Sequence, residues 1–211
     1  EEGMPLDLVF MVPAESNFNV TARSHKSAVG LWQFIASTGR NYGLKINRWI
    51  DERRDPVLST RAAITYLKHL YGLFGDWELA MAAYNTGEGR VRRAIKKAKR
   101  KGLKHNYSSL RLPRETRSYV PAIMAMAVIY KNPAKYGLGH VRPIDAMDET
   151  KASLPVSFSL EEVAQRSKMS FRLLREKNLA LFLGVPPMTQ KRYSFYVPQR
   201  FHTNLMSSLE Q

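Results

Sequence analysis

Leu8-Val9-Phe10-Met11-Val12-Pro13-Ala14-Glu15-Ser16-Asn17-Phe18 sets a single carboxylate at the end of an apolar run. A Glu held against apolar neighbours has a raised pKa, because loss of water disfavours the anion. A carboxyl raised towards neutrality can give up a proton and take one back. The same context also suits a Glu that simply ends a helix in solvent. This stretch alone leaves both readings open.

Outward from it the chain reads as short helices. Asp55-Pro56 is a helix start, an N-cap acid followed by Pro at the first helical position. The helix is expected to run to about Tyr71, with Val57, Ala63, Ile64, Leu67 and Leu70 on one side. Gly30 to Ser37 reads as helical. Asp76 caps a short helix ended by Asn85-Thr86-Gly87, and a basic helix follows from Glu88 to about Lys99, with Val91, Ala94, Ile95 and Ala98 inward. Pro113 opens a longer helix through Tyr130, stopped by Asn132-Pro133. Residues 136–154 read as a linker. Beyond it, Val156 to Phe158 reads as a strand, Leu160 to Ser167 and Phe171 to Glu176 as helices, and Tyr193 to Val197 as the clearest strand of the chain.

Composition narrows the function classes. At 211 residues, 44% hydrophobic and 24% charged, the chain is globular and long enough to bury a core without staples. There is no Cys, which removes thiol catalysis, thiolate zinc sites and disulfides. The five His residues (25, 69, 105, 140 and 202) are scattered, and no Gly-rich phosphate loop is present, so neither metal nor cofactor is expected. The longest nearly apolar run, Tyr119 to Tyr130, falls short of the roughly twenty residues of a spanning helix. The start, Glu1-Glu2-Gly3-Met4, carries no initiator Met, and the chain is read as a piece of a longer protein. The net charge of +15 is concentrated: Arg90 to Arg117 holds twelve Lys and Arg against Glu115 alone. Such a cluster implies either a polyanionic partner or a solvated helix face. Nucleic acid is the weaker choice of partner, since Tyr107 is the one Phe, Trp or Tyr among these cations.

Motifs spread along the chain decide between the readings. Glu15-Ser16-Asn17-Phe18-Asn19, Ser24, Gly30-Leu31-Trp32-Gln33, Ala83-Tyr84-Asn85 with Gly87, and Glu115-Thr116-Arg117-Ser118-Tyr119-Val120 occur in this order. Together they resemble the family 1 lytic transglycosylases, over about residues 4–135. The Gly-Leu-Trp-Gln variant and Ser37 to Leu44 are most similar to membrane-bound members. The resemblance implies a mainly α, lysozyme-like fold of the goose-type/soluble lytic transglycosylase kind. It implies that Glu15 is the catalytic acid and base, with Ser16 a structural neighbour. It implies that Ser24 contacts the reacting sugar, that Gln33 hydrogen-bonds in the cleft, and that Tyr84 lies near the catalytic carboxyl beside Asn85. It also implies that Tyr119 is a cleft tyrosine. Trp32 stands where Met is commoner and Ile35 replaces a Met often found in the cleft; Trp32 and Phe34 are read as core residues.

Ordinary glycoside hydrolases need two carboxylates. Asp7, Asp51, Glu52 and Asp55 are the other acids weighed, and none sits in a cleft-like motif. The resemblance implies that none is needed. One Glu protonates the β-1,4 bond between N-acetylmuramic acid and N-acetylglucosamine, then deprotonates the C6 hydroxyl that closes a 1,6-anhydro ring. The implied partner is the peptidoglycan glycan strand, not nucleic acid, and the implied place is the bacterial periplasm or envelope. Outer-membrane association through a segment outside this chain, and a monomer, are expected. An inactive peptidoglycan-binding scaffold of the same fold is the alternative. The expected division is a catalytic domain over 1–135, the linker over 136–154, a small βααβ module resembling LysM over 155–200, and a C-terminal helix or tail over 201–211. The usual Gly-Asp-Thr of that module is absent.

Overall fold

Side-chain caps fix where the helices begin. In the computed structural model, which describes residues 2–142 and 149–209, Asp55 accepts from the backbone N–H groups of Val57 and Leu58, both at 2.8 Å. Asp76 accepts from Leu79 N–H at 2.9 Å. Ser159 and Glu162 form a reciprocal capping box, and Ser170 caps the helix that follows. Each cap satisfies a backbone donor that the first turn leaves unpaired.

The elements in chain order are a 3₁₀ turn Leu6–Phe10, α1 (Met11–Ser16), α2 (Ala36–Asn41), α3 (Pro56–Phe74), α4 (Trp77–Thr86), α5 (Glu88–Arg100) and α6 (Arg114–Lys131). Then come β1 (Glu149–Pro155), α7 (Leu160–Ser167), α8 (Phe171–Lys177), β2 (Arg192–Pro198) and α9 (Gln199–Leu209). Among the described residues no helix is long and apolar enough to cross a membrane. The chain forms two compact units, Glu1–Phe18 with Thr60–Val141, and Asn19–Ser59 with Arg142–Gln211.

The first unit is helical and centres on α4. Leu79, Ala80, Met81, Ala82 and Ala83 are all buried, so this part of α4 has no solvent face and serves as a central helix. Its alanines let α5 and α6 pack closely against it. α6 also packs on α1 and on the 3₁₀ turn before it. Pro13 does not interrupt α1, because it sits in the first turn, where its missing N–H has no helical acceptor to lose.

The second unit joins the Asn19–Ser59 segment to the C-terminal elements. β1 and β2 pair antiparallel, with Ala152 opposite Phe195 and Leu154 opposite Tyr193. Their inner side chains share one core with Leu160, Val163, Leu174 and Leu205. Ile50 lies in that core, only 1% exposed. Around it, Asp51 N–H donates to Ala180 C=O (2.8 Å) and Phe182 N–H to Trp49 C=O (3.0 Å), which makes a short antiparallel stitch.

Two local expectations are corrected. The strand expected over Val156 to Phe158 lies at Glu149–Pro155, partly inside the stretch read as a linker; residues 143–148 of that stretch lie outside the described residues. Gly30 to Ser37 is not a helix, and α2 begins only at Ala36. Gly30 has φ +84°, and a Cβ there would collide with the Arg53 carbonyl. Gln33 is left-handed, with φ 46°. Those two residues turn the chain sharply, as L-residues in a helix cannot.

Candidate active site

Glu15 occupies the last turn of α1. The helix stops because Asn17 takes a left-handed conformation (φ 50°) and returns its N–H to Pro13 C=O at 3.1 Å. Asn tolerates that conformation better than other side-chain-bearing residues. Ser16 bonds back to Val12 C=O (3.3 Å), which fits a structural part.

Two elements converge on this carboxyl within the first unit, and a third backs one of them. From α6, Tyr119 donates its phenol to Glu15 Oε1 at 2.6 Å. From α4, Tyr84 lies close enough for the Glu15 charge to raise its phenol pKa. The Tyr84 ring in turn rests against Tyr66 of α3, with centroids 5.1 Å apart. Asn85, next to Tyr84, accepts at Oδ1 from the buried Thr116 hydroxyl at 2.8 Å. The Thr116 carbonyl accepts from Tyr107 at 3.0 Å. With its Oδ1 held, Asn85 turns its amide N–H groups away from Thr116, where they can serve as donors.

Burial pushes the Glu15 carboxyl up from 4.5 to about 7; the Tyr119 hydrogen bond opposes this and the Glu115 charge adds to it. The direction follows from physics: shielding disfavours the anion, a phenol donor favours it, and a second carboxylate disfavours it. Burial also lifts the phenols of Tyr119 and Tyr84 well above their ordinary value, so both remain neutral donors.

Glu115 is the residue of the site to which sequence reasoning gave no role. Its signal was present: Glu115 and Tyr119 stand at i and i+4 on α6 and share a face. Where Tyr119 reaches Glu15, the exposed Glu115 lies one turn away. Asp7, Asp51, Glu52 and Asp55 have structural work. Asp7 pairs with Lys131 at 2.6 Å. Asp51 holds Arg53 through both oxygens, at 2.8 Å each. Glu52 accepts from Lys45 N–H at 2.6 Å. Asp55 caps α3 and accepts from Tyr196 at 3.2 Å.

Ser24 and Gln33 belong to the second unit, where they shape one loop. Ser24 Oγ accepts from Ala28 N–H at 3.1 Å, which leaves its own O–H as a donor. Gln33 Nε2 donates to Gly30 C=O (2.9 Å) and Ala22 C=O (3.3 Å). Both amide protons are thereby used, and Oε1 is what this side chain can offer a ligand. The loop is anchored by Arg53, whose Nη1 donates to Ser27 C=O and Phe34 C=O at 3.0 Å each. Trp32 and Phe34 are buried, at 5% and 2% exposure, which settles them as core. Ile35, by contrast, is 44% exposed.

Comparison with known proteins places this geometry in context. Residues 1–107 match the transglycosylase SLT domain. The match ends before the motif at Glu115 to Val120. The chain is 43% identical over 214 residues to membrane-bound lytic murein transglycosylase D of Escherichia coli (strain K12), covering 99% of this chain and 46% of that protein. It is 29% identical over 174 residues to peptidoglycan transglycosylase gp16 of Escherichia phage T7, covering 81% of this chain and 12% of that protein. The chain therefore spans less than half of the length of these relatives. Among solved structures, the 70 kDa soluble lytic transglycosylase of Escherichia coli aligns at a TM-score of 0.50 and 24% identity. That alignment covers 64% of this chain and 22% of that one, and it supports the lysozyme-type helical fold.

Proposed function

The chain belongs to the transglycosylase SLT domain family, and from that premise we propose that it cleaves peptidoglycan without water, with Glu15 as acid and then base. The observation that carries the reading is the Glu15 carboxyl, raised to about 7 and hydrogen-bonded to Tyr119. Near neutral pH such a group is populated in both protonation states, as a residue that must donate and then accept within one cycle requires.

The steps follow from that one group. Protonated Glu15 gives its proton to the oxygen of the β-1,4 bond between N-acetylmuramic acid and N-acetylglucosamine, and the C1–O bond breaks. The substrate's N-acetyl group stabilises the positive C1. Ionised Glu15 then takes the proton from the C6 hydroxyl, whose oxygen bonds to C1 and closes the 1,6-anhydro ring. The enzyme returns to its starting state. Tyr119 holds the carboxyl in place, and Tyr84 and Asn85 supply neutral donors beside it. Ser24 and the Gln33 Oε1 acceptor position the sugar. Glu115 acts through charge, keeping Glu15 protonated to higher pH.

The run from β1 to β2 is read as the LysM-like module. Its strand–helix–helix–strand order supports this, and its core, which takes in Ile50, fits a brace for the Asn19–Ser59 segment. The proposed murein substrate supports a place in the bacterial cell envelope, in association with the outer membrane.

Clearing of a sacculus suspension by the wild type and by Glu15→Gln tests the reading. Wild-type clearing with loss in the variant, and products one water lighter than hydrolytic ends, are expected. Equal clearing by both, or none by either, contradicts it; the second result makes the chain a binding scaffold.

A further inference from the structure

The basic helix α5 takes no part in the chemistry above. Its inner stripe is Val91, Ala94, Ile95 and Ala98, with Val91 and Ala98 buried. Helical spacing places Arg90, Arg92, Arg93, Lys96, Lys97, Lys99 and Arg100 on the opposite half, and every one is exposed. Lys101 and Lys104 continue the patch past the helix end. Among the described residues Glu88, 3.7 Å from Arg92, is the one carboxylate that meets any of them. Helical neighbours at this spacing lie about 5–6 Å apart, so the face is a dense cationic array about 20 Å long.

The end of α5 adds an apolar element. Gly102 takes a left-handed conformation (φ +64°) and donates to Lys99 C=O at 3.1 Å, while Leu103 donates to Ala98 C=O at 3.1 Å. This is the Schellman closure, in which the residue in the position of Leu103 frequently packs back on the helix. Here Leu103 is instead 54% exposed, and it lies in the chain between Lys101 and Lys104.

We propose that the outer face of α5, with Leu103, docks onto an anionic phospholipid surface. A headgroup layer offers closely spaced phosphates to match the cation density, and an acyl boundary that accepts an apolar side chain. The scattered carboxylates of a hydrated glycan offer neither. Single-stranded nucleic acid matches the charge, but its bases call for aromatic platforms, and α5 carries none; duplex DNA is an arm of the test below. This inference does not rest on the catalytic reading of Glu15.

Co-sedimentation of the chain with phosphatidylcholine vesicles, with and without a quarter phosphatidylglycerol, tests it. Binding is expected to the anionic vesicles alone, falling at least tenfold as salt shortens the range of the attraction. Replacing Lys96, Lys97, Arg100 and Lys101 together by Gln is expected to weaken it several hundredfold, at about fivefold per cation. These side chains are exposed, and an unchanged thermal melt verifies that the variant is folded. Leu103→Ser is expected to weaken vesicle binding without changing its salt dependence. Equal binding to neutral vesicles, or undiminished binding by the folded quadruple variant, overturns the proposal. Tighter binding to duplex DNA than to anionic vesicles at the same salt, or a larger loss of sacculus binding than of vesicle binding in the quadruple variant, also overturns it and reassigns the face.

Discussion

Glu15 is a half-buried carboxylate and Asp51 a buried one, and their surroundings differ in kind. Asp51 meets a guanidinium that fills both of its oxygens and is itself anchored to Ser27 and Phe34. Glu15 meets only neutral phenols among the described contacts, Tyr119 by a hydrogen bond and Tyr84 close by, with a second carboxylate nearby. The first arrangement satisfies the anion and holds a loop. The second leaves the anion under-compensated, and a proton becomes the cheapest partner. Chemistry follows from incomplete satisfaction, and architecture from its completion.

The largest effect that would sharpen this contrast is on rate. Glu15→Gln keeps the shape and the hydrogen bond but has no proton to transfer, so turnover of sacculi is expected to fall about a thousandfold or more. A small loss would break the contrast by making Glu15 dispensable. Asp51→Asn should act on stability instead, costing about 3 kcal/mol, because it leaves the Arg53 charge buried and uncompensated. The urea midpoint of unfolding reads this directly.

Legibility in the sequence follows the same divide between local and distant causes. Asp55 and Asp76 announce their helices because a cap acts within one turn. The Gly30–Phe34 turn is not legible locally because its cause, the approach of the Arg53 carbonyl to Gly30, comes from twenty-three residues away in the chain, and local apolar content mimics a helix. β1 was displaced for a similar reason. Only Ala152 and Leu154 face the core of that strand, and their pattern becomes persuasive only opposite Phe195 and Tyr193. The motif residues around Glu15 were legible through resemblance. The part of Glu115 was not, although its four-residue spacing from Tyr119 was in plain view.

Stability against pH offers a middle-sized test. The Glu15 pKa is raised on folding, so its contribution is fully present below about 4.5 and lost as pH rises through about 7. Relative to wild type, Glu15→Gln should gain stability across that window by about 2 kcal/mol after allowance for partial solvent screening. The smallest effects are shifts of the basic limb of the rate profile. Tyr119→Phe removes a bond that favours the anion and should move the limb to higher pH. Glu115→Gln removes a like charge and should move it to lower pH. Movement in the same direction for both would break the account of how the site is tuned.

Carboxyl-carbon NMR of the protein labelled at Glu, with Glu15→Gln to assign the resonance, measures the central quantity itself. A Glu15 titration midpoint near 7 is the predicted result. A midpoint near 4.5, that of a solvated glutamate, would contradict it.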